Sequence, residues 1–274
     1  LIVFNGEELS FPIEDIRSIV IDNPYTSLTG KLITQLANDG VCLIICDEKH
    51  TPSCELLPIG AYCRMNKRIN LQFSQSKPKL KKIWQKTVQV KICNQARCLE
   101  INEIDEAKTL FAIAKNVASG DSTNREGYAA RLYFKLLFGT DFTRDDESNI
   151  NAALNYGYAI LRSYIAKTIV AYGLEPSLGI HHKSQLNQFN LADDIIEPYR
   201  PIVDNFVYQN YQEWGADFFT AQKAELLLLL NSATVIDGKR HSVANATELT
   251  VQSIISSFAV SYTHLRAHET AANL

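Results

Sequence analysis

The amino-acid sequence predicts an α+β protein with two domains, a small N-terminal β-rich domain followed by a larger all-α-helical domain. Short runs rich in Val, Ile and Phe dominate residues 1–73. From residue 79 onward, apolar residues recur at the period of 3.6 that is typical of helices. A polar stretch with a proline, Ser74–Pro78, separates the two patterns. We therefore expect a β-rich domain over 1–73, a linker over 74–78 and a helical domain over 79–260.

The composition is that of an ordinary globular protein, and it excludes several other classes. Of 274 residues, 46% are hydrophobic and 21% are charged, as in typical folded domains. The net charge of −3 gives no whole-chain sign of a nucleic-acid-binding protein, although binding depends on where the charges lie. The longest apolar runs, 41–46 and 226–230, are far shorter than the roughly 20 residues of a membrane span. No membrane segment and no secretory signal are predicted, and we expect a cytoplasmic protein.

In the N-terminal part, four apolar runs predict strands and one segment predicts a helix. Ser27 is a candidate N-cap, and Gly40 ends the helical spacing that follows it. The strand at Val41–Cys46 is apolar throughout, which is typical of burial on both faces. The other predicted strands are Leu1–Phe4, Leu9–Ile13 and Ile16–Ile21.

All six cysteines lie in the first hundred residues, which raises the question of a metal site. Cys42 and Cys46 share one face of the apolar strand, so they are interpreted as buried free thiols. A zinc site with His50 is the less favoured alternative, because no C-x₂-C pair is present.

The first helix beyond the linker carries a group of lysines. Its apolar face includes Ile83, Trp84 and Val88. The lysines on and around the other face form either a solvated surface or a DNA-binding patch. They are Lys77, Lys79, Lys81, Lys82, Lys86 and Lys91. Further helices are predicted at Glu106–Ala118, Arg125–Phe138, Ser148–Tyr172 and Pro201–Trp214, with a turn at Asp237-Gly238.

Three residues of the helical domain have the chemistry of a hard-metal site. Glu126 lies in the first turn of a predicted helix, where a carboxylate also simply compensates the helix dipole. A glycine inside a helix usually marks the close approach of a backbone or a ligand, so Gly127 favours a role for this turn beyond dipole compensation. Of the adjacent His181 and His182, at most one is expected to serve a given site. Glu197 follows two isoleucines, so its carboxylate must be paired, hydrogen-bonded or metal-bound.

Together, Glu126, His182 and Glu197 offer two carboxylates and one imidazole. This set suits Mg²⁺ or Mn²⁺, with open positions for water and phosphate oxygens. The three residues are far apart in the sequence, so their spacing alone is a weak signal.

The same segments resemble the signature blocks of a known family, the CRISPR-associated adaptation integrase, which is the first Cas protein. The blocks are 124–134, 178–182 and 194–201, and 138–144 and 149–158 are similar to the type II branch. The resemblance implies a β domain joined to a helical catalytic domain and a prokaryotic antiviral-defence protein. It implies catalytic and metal-binding roles for Glu126, His182 and Glu197, with Asp194 as a candidate supporting residue.

The resemblance also implies a reaction and its partners. The expected reaction is metal-dependent transesterification, in which a DNA 3′-hydroxyl attacks a phosphodiester at the repeat boundary. The expected partners are double-stranded DNA, a second copy of the chain and the small adaptation subunit, the second Cas protein. The candidate DNA-binding residues are Arg125, Arg131, Lys135, Lys81 and Lys82.

Two departures from the family and two alternative functions remain open at this point. The chain is expected to lack the family's opening β hairpin, and 261–274 is expected to be an atypical tail. A stand-alone metal-dependent nuclease with the same site is the first alternative. A catalytically inactive scaffold that binds DNA ends is the second.

Overall fold

The computed structural model describes most of the chain and confirms the α+β class, with a β-containing N-terminal region and a mostly helical remainder. The described residues are 2–4, 8–16, 18–23, 25–48, 52–56, 65–214 and 220–259. The tail at 261–274, His50 and Cys63 lie outside them.

The N-terminal region contains two small sheets. Strands β1 (Ile2–Phe4) and β2 (Glu8–Ser10) pair antiparallel. Strands β3 (Ser18–Ile21) and β4 (Cys42–Cys46) pair in parallel, and β5 (Pro52–Leu56) adds to β4 antiparallel. Strand β5 was not predicted.

Strand β4 is buried on both faces, as its apolar sequence predicts. Cys42, Ile44 and Cys46 point into the large core shared with the helical part. On the other face, Leu43 packs in a small separate core with Leu36 of helix α1 (Gly30–Asn38). Both thiols are free, and burial raises their pKa values to about 12. Strand β4 therefore joins the sheet to the helices.

Helix α1 and the linker differ from their predicted positions. The N-cap of α1 is Thr29, whose hydroxyl accepts a hydrogen bond from the Leu32 amide, and not Ser27. A second helix, α2 (Met65–Phe73), was not predicted, and it packs against the last of the described helices. The next helix begins at Lys77, within the predicted linker.

The remainder is a bundle of helices around two long, largely buried ones. The long helices are α3 (Lys77–Ile101) and α6 (Asn149–Ala171). The other helices are α4 (Ala107–Lys115), α5 (Arg125–Phe138), α7 (Asn190–Ile196), α8 (Arg200–Asn210), α9 (Thr220–Leu228) and α10 (Val243–Ala259). Helix α3 packs against α4, α5, α7 and α8, so it lies behind the segments that carry the predicted site.

A hairpin interrupts the helices near the end of the described chain. Strands β6 (Ala233–Ile236) and β7 (Lys239–Ser242) pair antiparallel, and Asp237 and Gly238 between them both have positive φ. This confirms the predicted turn, because such two-residue turns need positive φ at both positions. Among the described helices, none is long and apolar enough to cross a membrane.

Candidate active site

A buried lysine of helix α3 is the centre of the candidate site. Lys91 is only 7% exposed, and its Nζ lies 2.6 Å from Glu126 Oε1 and contacts Glu197 Oε2. Burial acts to lower the pKa of Lys91, but the charges of Glu197 and Glu126 raise it above its ordinary value. The ammonium is therefore charged and neutralises both carboxylates.

The position of Glu126 is fixed by two side chains that cap the first turn of helix α5. The Asp121 carboxylate accepts hydrogen bonds from the amides of Arg125 (2.8 Å) and Glu126 (3.0 Å). The Asn124 side chain accepts one from the Gly127 amide. A Cβ on Gly127 would lie 2.8 Å from Asn124 Oδ1, so the glycine makes room for this cap. The group that closely approaches Gly127 within the chain is thus the Asn124 side chain.

Glu197 is buried where helix α7 passes into a single 3₁₀ turn, Glu197–Tyr199. Its Oε1 accepts a hydrogen bond of 3.0 Å from Arg200 Nε, while Oε2 makes its ion pair with Lys91. Burial acts to raise the pKa of Glu197, but the charges of Lys91 and Arg200 lower it to about 2. A fully ionised carboxylate is thus held in the interior by two cations.

His182 is held by a loop that wraps around the buried carboxylate of Asp194. Asp194 Oδ2 accepts hydrogen bonds from the amides of Ile180 and His181, and Oδ1 accepts one from the His182 amide at 3.1 Å. Asp194 Oδ1 also lies 2.8 Å from His182 Nδ1. This hydrogen bond raises the pKa of His182, and the charges of Asp194 and Glu197 act in the same direction.

The two adjacent histidines have different surroundings. The ring of His181 stacks on buried Trp84, with ring centroids 4.2 Å apart and nearly parallel planes. The ring of His182 meets Trp84 edge-on, and because Asp194 takes its Nδ1, its Nε2 remains for another partner. Since the charge of His182 also lowers the pKa of Glu197, these two side chains lie within electrostatic reach of each other.

The structure therefore joins the predicted residues in two pairs. Glu126 and Glu197 meet at one ammonium, and His182 is paired with Asp194 beside Glu197. Within the part of the chain that the structure describes, no three His, Cys, Asp or Glu side chains form a ready-made metal site. The position between the two carboxylates is taken by a cation of the protein itself.

A family comparison decides the identity. The family model described as CRISPR associated protein Cas1 matches residues 1–235 of this chain. The chain belongs to the Cas1 family. A curated relative, the CRISPR-associated endonuclease Cas1 of Neisseria meningitidis serogroup C (strain 8013), is 41% identical over 98% of this chain and 88% of its own length. This relative is consistent with the type II branch.

More distant Cas1 relatives and solved structures support the same fold. Cas1 1 of Francisella tularensis subsp. novicida (strain U112) is 27% identical over 93% of this chain and 86% of its own length. A casposase bound to its integration product has a TM-score of 0.80 at 21% identity, over 96% of this chain and 86% of that chain. A Cas6-RT-Cas1–Cas2 complex has a TM-score of 0.73 at 16% identity, over 100% of this chain and 34% of that chain.

The candidate DNA-binding residues differ in exposure in this Cas1 chain. Arg131, Lys135, Lys81 and Lys82 are exposed, and Arg125 is partly buried. Lys91, which was grouped with the surface lysines, is buried instead because it continues the inner face of α3 below Trp84 and Val88.

Three residues that contact the candidate site residues were not among the sequence-based candidates for the metal site, namely Lys91, Arg200 and Asp121. Lys91 follows Trp84 and Val88 at helical spacing, so the periodicity of α3 already marked it as inward-facing. Arg200 lies three residues after Glu197, which places both on one face of a helical turn. Asp121 had no such signal, because its left-handed backbone (φ 51°) is not evident from its residue type.

Proposed function

We propose that this Cas1 chain is a metal-dependent DNA endonuclease and integrase of CRISPR adaptation, which inserts spacer DNA by transesterification. The observation that supports this most strongly is the convergence of a partly exposed carboxylate, Glu126, and a buried one, Glu197, on one cation, with the His182–Asp194 pair beside them. The names of its curated relatives, CRISPR-associated endonucleases, agree with this proposal. So does its likeness to a casposase whose structure contains an integration product.

The donor set fits a hard divalent ion. Glu126 and Glu197 supply oxygen ligands, and His182 supplies Nε2, because Asp194 holds Nδ1. The position between the two carboxylates accommodates a positive charge, because the Lys91 ammonium contacts both of them. When bound, Mg²⁺ or Mn²⁺ would promote deprotonation of an attacking hydroxyl and neutralise charge on the phosphoryl oxygens.

The protein's own residues would hold this arrangement in place. Arg200 fixes one oxygen of Glu197, so that carboxylate cannot rotate freely. Asp194 keeps the His182 ring in one orientation and stabilises the proton on Nδ1. Asp121 fixes the first turn of α5 and therefore the position of Glu126. Because no covalent bond to the protein is needed, catalysis would depend on positioning and electrostatics.

DNA and protein partners belong to the same proposal. Arg131, Lys135, Lys81 and Lys82 are exposed cations that would bind phosphates along a duplex, and Arg125 lies next to Glu126. Solved complexes similar in fold to this chain contain Cas1 together with Cas2. We therefore expect a homodimer that assembles with the small adaptation subunit.

The site assignment is tested by Glu126→Gln, which keeps the side-chain volume and removes the charge. We expect strand transfer to fall at least about a hundredfold, as for the loss of an essential electrostatic group, with DNA binding retained. The assay joins a labelled DNA end to a repeat-containing duplex in Mn²⁺. Glu147→Gln, at an exposed position, is the charge-matched control and should join DNA at the wild-type rate. Wild-type joining by Glu126→Gln would refute the assignment.

The same assay distinguishes a second function, a stand-alone nuclease, which the relatives' name of endonuclease favours. Joined, branched DNA is the product of an integrase. Shortened strands without joined product would identify the nuclease, and DNA binding without either product would identify a scaffold.

A further inference from the structure

We propose that Lys91 is the resident counter-ion of the site, which a divalent cation must displace from between Glu126 and Glu197 in order to bind both. This inference rests on the proposed function, because it takes the two carboxylates as the ligands of the ion. It assigns to Lys91 a positioning role that lies outside the ligand set itself.

The Lys91 ammonium occupies the space between the two carboxylates. Lys91 Nζ is 2.6 Å from Glu126 Oε1 and also contacts Glu197 Oε2, so it occupies the volume shared by the two carboxylates. A magnesium ion that bound both oxygens at about 2.0–2.1 Å would need the space that the ammonium now occupies. The two cations therefore exclude each other from this position.

The negative charges of Glu126 and Glu197 require a cation between them. Glu126 and Glu197 contact the same ammonium, and Glu197 is only 4% exposed, whereas the side chain of Glu126 is 25% exposed. Two carboxylates at this separation repel each other strongly unless a cation lies between them. Arg200 binds the opposite oxygen of Glu197 and does not bridge to Glu126 in any ion pair that the structure describes. In the metal-free protein, Lys91 is thus the residue that joins the two carboxylates.

The Lys91 side chain is long enough to move its ammonium while helix α3 stays in place. Lys91 projects from the middle of α3, a helix of 25 residues whose backbone is fixed on several sides by packing. Its side chain is four methylene groups long and can change rotamer without moving that helix. Displacement of the ammonium is therefore a local change, which leaves the Glu126 backbone where Asp121 holds it and the Glu197 carboxylate where Arg200 holds it.

The central test measures Mn²⁺ binding to Lys91→Met by electron paramagnetic resonance, without DNA. Methionine keeps an unbranched apolar side chain at the buried position and removes the competing charge. We expect Mn²⁺ to bind about tenfold more tightly than to the wild type, because no ammonium must be displaced. Lys91→Arg, which keeps the charge, should remain as weak as the wild type. Equal or weaker binding by Lys91→Met would overturn the proposal.

Lys223→Met is the matched control, because Lys223 is also a nearly buried ammonium with a carboxylate partner, Asp22, at 3.0 Å. Its side chain is 10% exposed, against 9% for Lys91, and it lies outside the site. We expect it to lower the unfolding temperature but leave Mn²⁺ affinity unchanged. A gain in affinity for both variants would show a general charge effect and would overturn a specific role of Lys91.

A second measurement needs no variant and therefore does not depend on whether Lys91→Met folds. Crystal structures of the wild-type chain with and without Mn²⁺ should show Lys91 Nζ in contact with both carboxylates only in the metal-free form. An ion bound by Glu126 and Glu197 with Lys91 unmoved would overturn the inference and leave the proposed function intact. Absence of Mn²⁺ from both carboxylates at saturating concentration would overturn the inference together with the metal assignment.

Discussion

At the scale of single residues, the site contains two buried carboxylates that are stabilised in different ways. Asp194 is surrounded by backbone donors, and its oxygens accept hydrogen bonds from three consecutive amides. Glu197 makes ion pairs with Lys91 and Arg200 instead. Asp194 is thus fixed by the fold of one loop, whereas Glu197 depends on side chains from two helices. The first is suited to hold a neighbour in place, and the second to exchange one cation for another.

Asp194→Asn tests the positioning role of this carboxylate. The amide that replaces one oxygen brings N–H groups toward backbone N–H groups, so at least one buried donor loses its partner. We expect the free energy of unfolding to fall by about 2–3 kcal/mol, and Mn²⁺ affinity to fall about 10–100-fold because His182 loses its orientation. Urea denaturation and Mn²⁺ titration measure the two effects.

The neighbouring Asp193→Asn is the control for this substitution. Asp193 is partly exposed and accepts a hydrogen bond from the side chain of Asn187 instead of from the loop. It should change stability by less than about 1 kcal/mol and leave Mn²⁺ affinity as it is. Equal losses in the two variants would contradict a special role for Asp194.

At the scale of elements, the loop from Leu178 to Lys183 owes its course to one glycine. A Cβ on Gly179 would overlap the carbonyl oxygen of His182 and lie 2.9 Å from Asp194 Oδ2. The chain can therefore fold back over the Asp194 carboxylate only if this residue has no side chain. The loop, the carboxylate and the His182 ring form one unit, in which the glycine determines the position of the imidazole.

Gly179→Ala should disrupt this unit. The overlap requires the loop to shift, which we expect to cost about 1–3 kcal/mol in unfolding free energy and to weaken Mn²⁺ binding by moving His182. Gly30→Ala in α1 is the control, because a Cβ there meets nothing within 4 Å. It should change stability by less than about 0.5 kcal/mol. Full Mn²⁺ affinity in Gly179→Ala would mean that the loop does not position His182.

How far these elements could be predicted depends on whether their signals are local. Helix α5 was predicted with its observed bounds, Arg125–Phe138, because Asn124 and Gly139 mark its ends in the sequence. Helix α2 was missed, because its sequence is short and polar and its packing against α10 joins residues that are far apart in the chain. Strand β5 was missed because it begins with a proline, which weakens the signal of a strand, although its antiparallel partner β4 is close in the sequence.

The site shows the same division between local and long-range information. The residue types at Glu126, His182 and Glu197 indicated a hard-metal set, and the family resemblance linked them. The meeting of two carboxylates at Lys91 could not be predicted, because it depends on how α3 packs against α5 and the 3₁₀ turn. A charged residue on an apolar helix face was the available sign, and it was interpreted as part of a surface cluster.

At the scale of the whole molecule, the β sheet is joined to the helices through one face of β4 and through β5. Cys42, Ile44 and Cys46 pack into the main core. Glu55 of β5 lies against α6, whose Ser163 and Arg162 are near enough to influence the pKa of its carboxyl group. Burial raises the pKa of Glu55 to about 7, although both of these neighbours act to lower it. A carboxyl group with such a pKa makes the contact between sheet and helices sensitive to pH.

Glu55→Gln tests this coupling through the pH dependence of stability. The pKa of Glu55 is about 7 in the folded chain and 4.5 for an ordinary glutamate. The contribution of the neutral Glu55 carboxyl to the free energy of unfolding is therefore complete below pH 4.5. It is lost as the pH rises through 7 and the buried group ionises. Relative to the variant, the wild type should lose about 2–3 kcal/mol of unfolding free energy between pH 4.5 and 8. Glu48→Gln, at an exposed position, should follow the wild-type curve in urea denaturation across this range. Parallel curves for Glu55→Gln and the wild type would show that Glu55 is ionised at no cost, and that the junction of sheet and helices does not respond to pH through this residue.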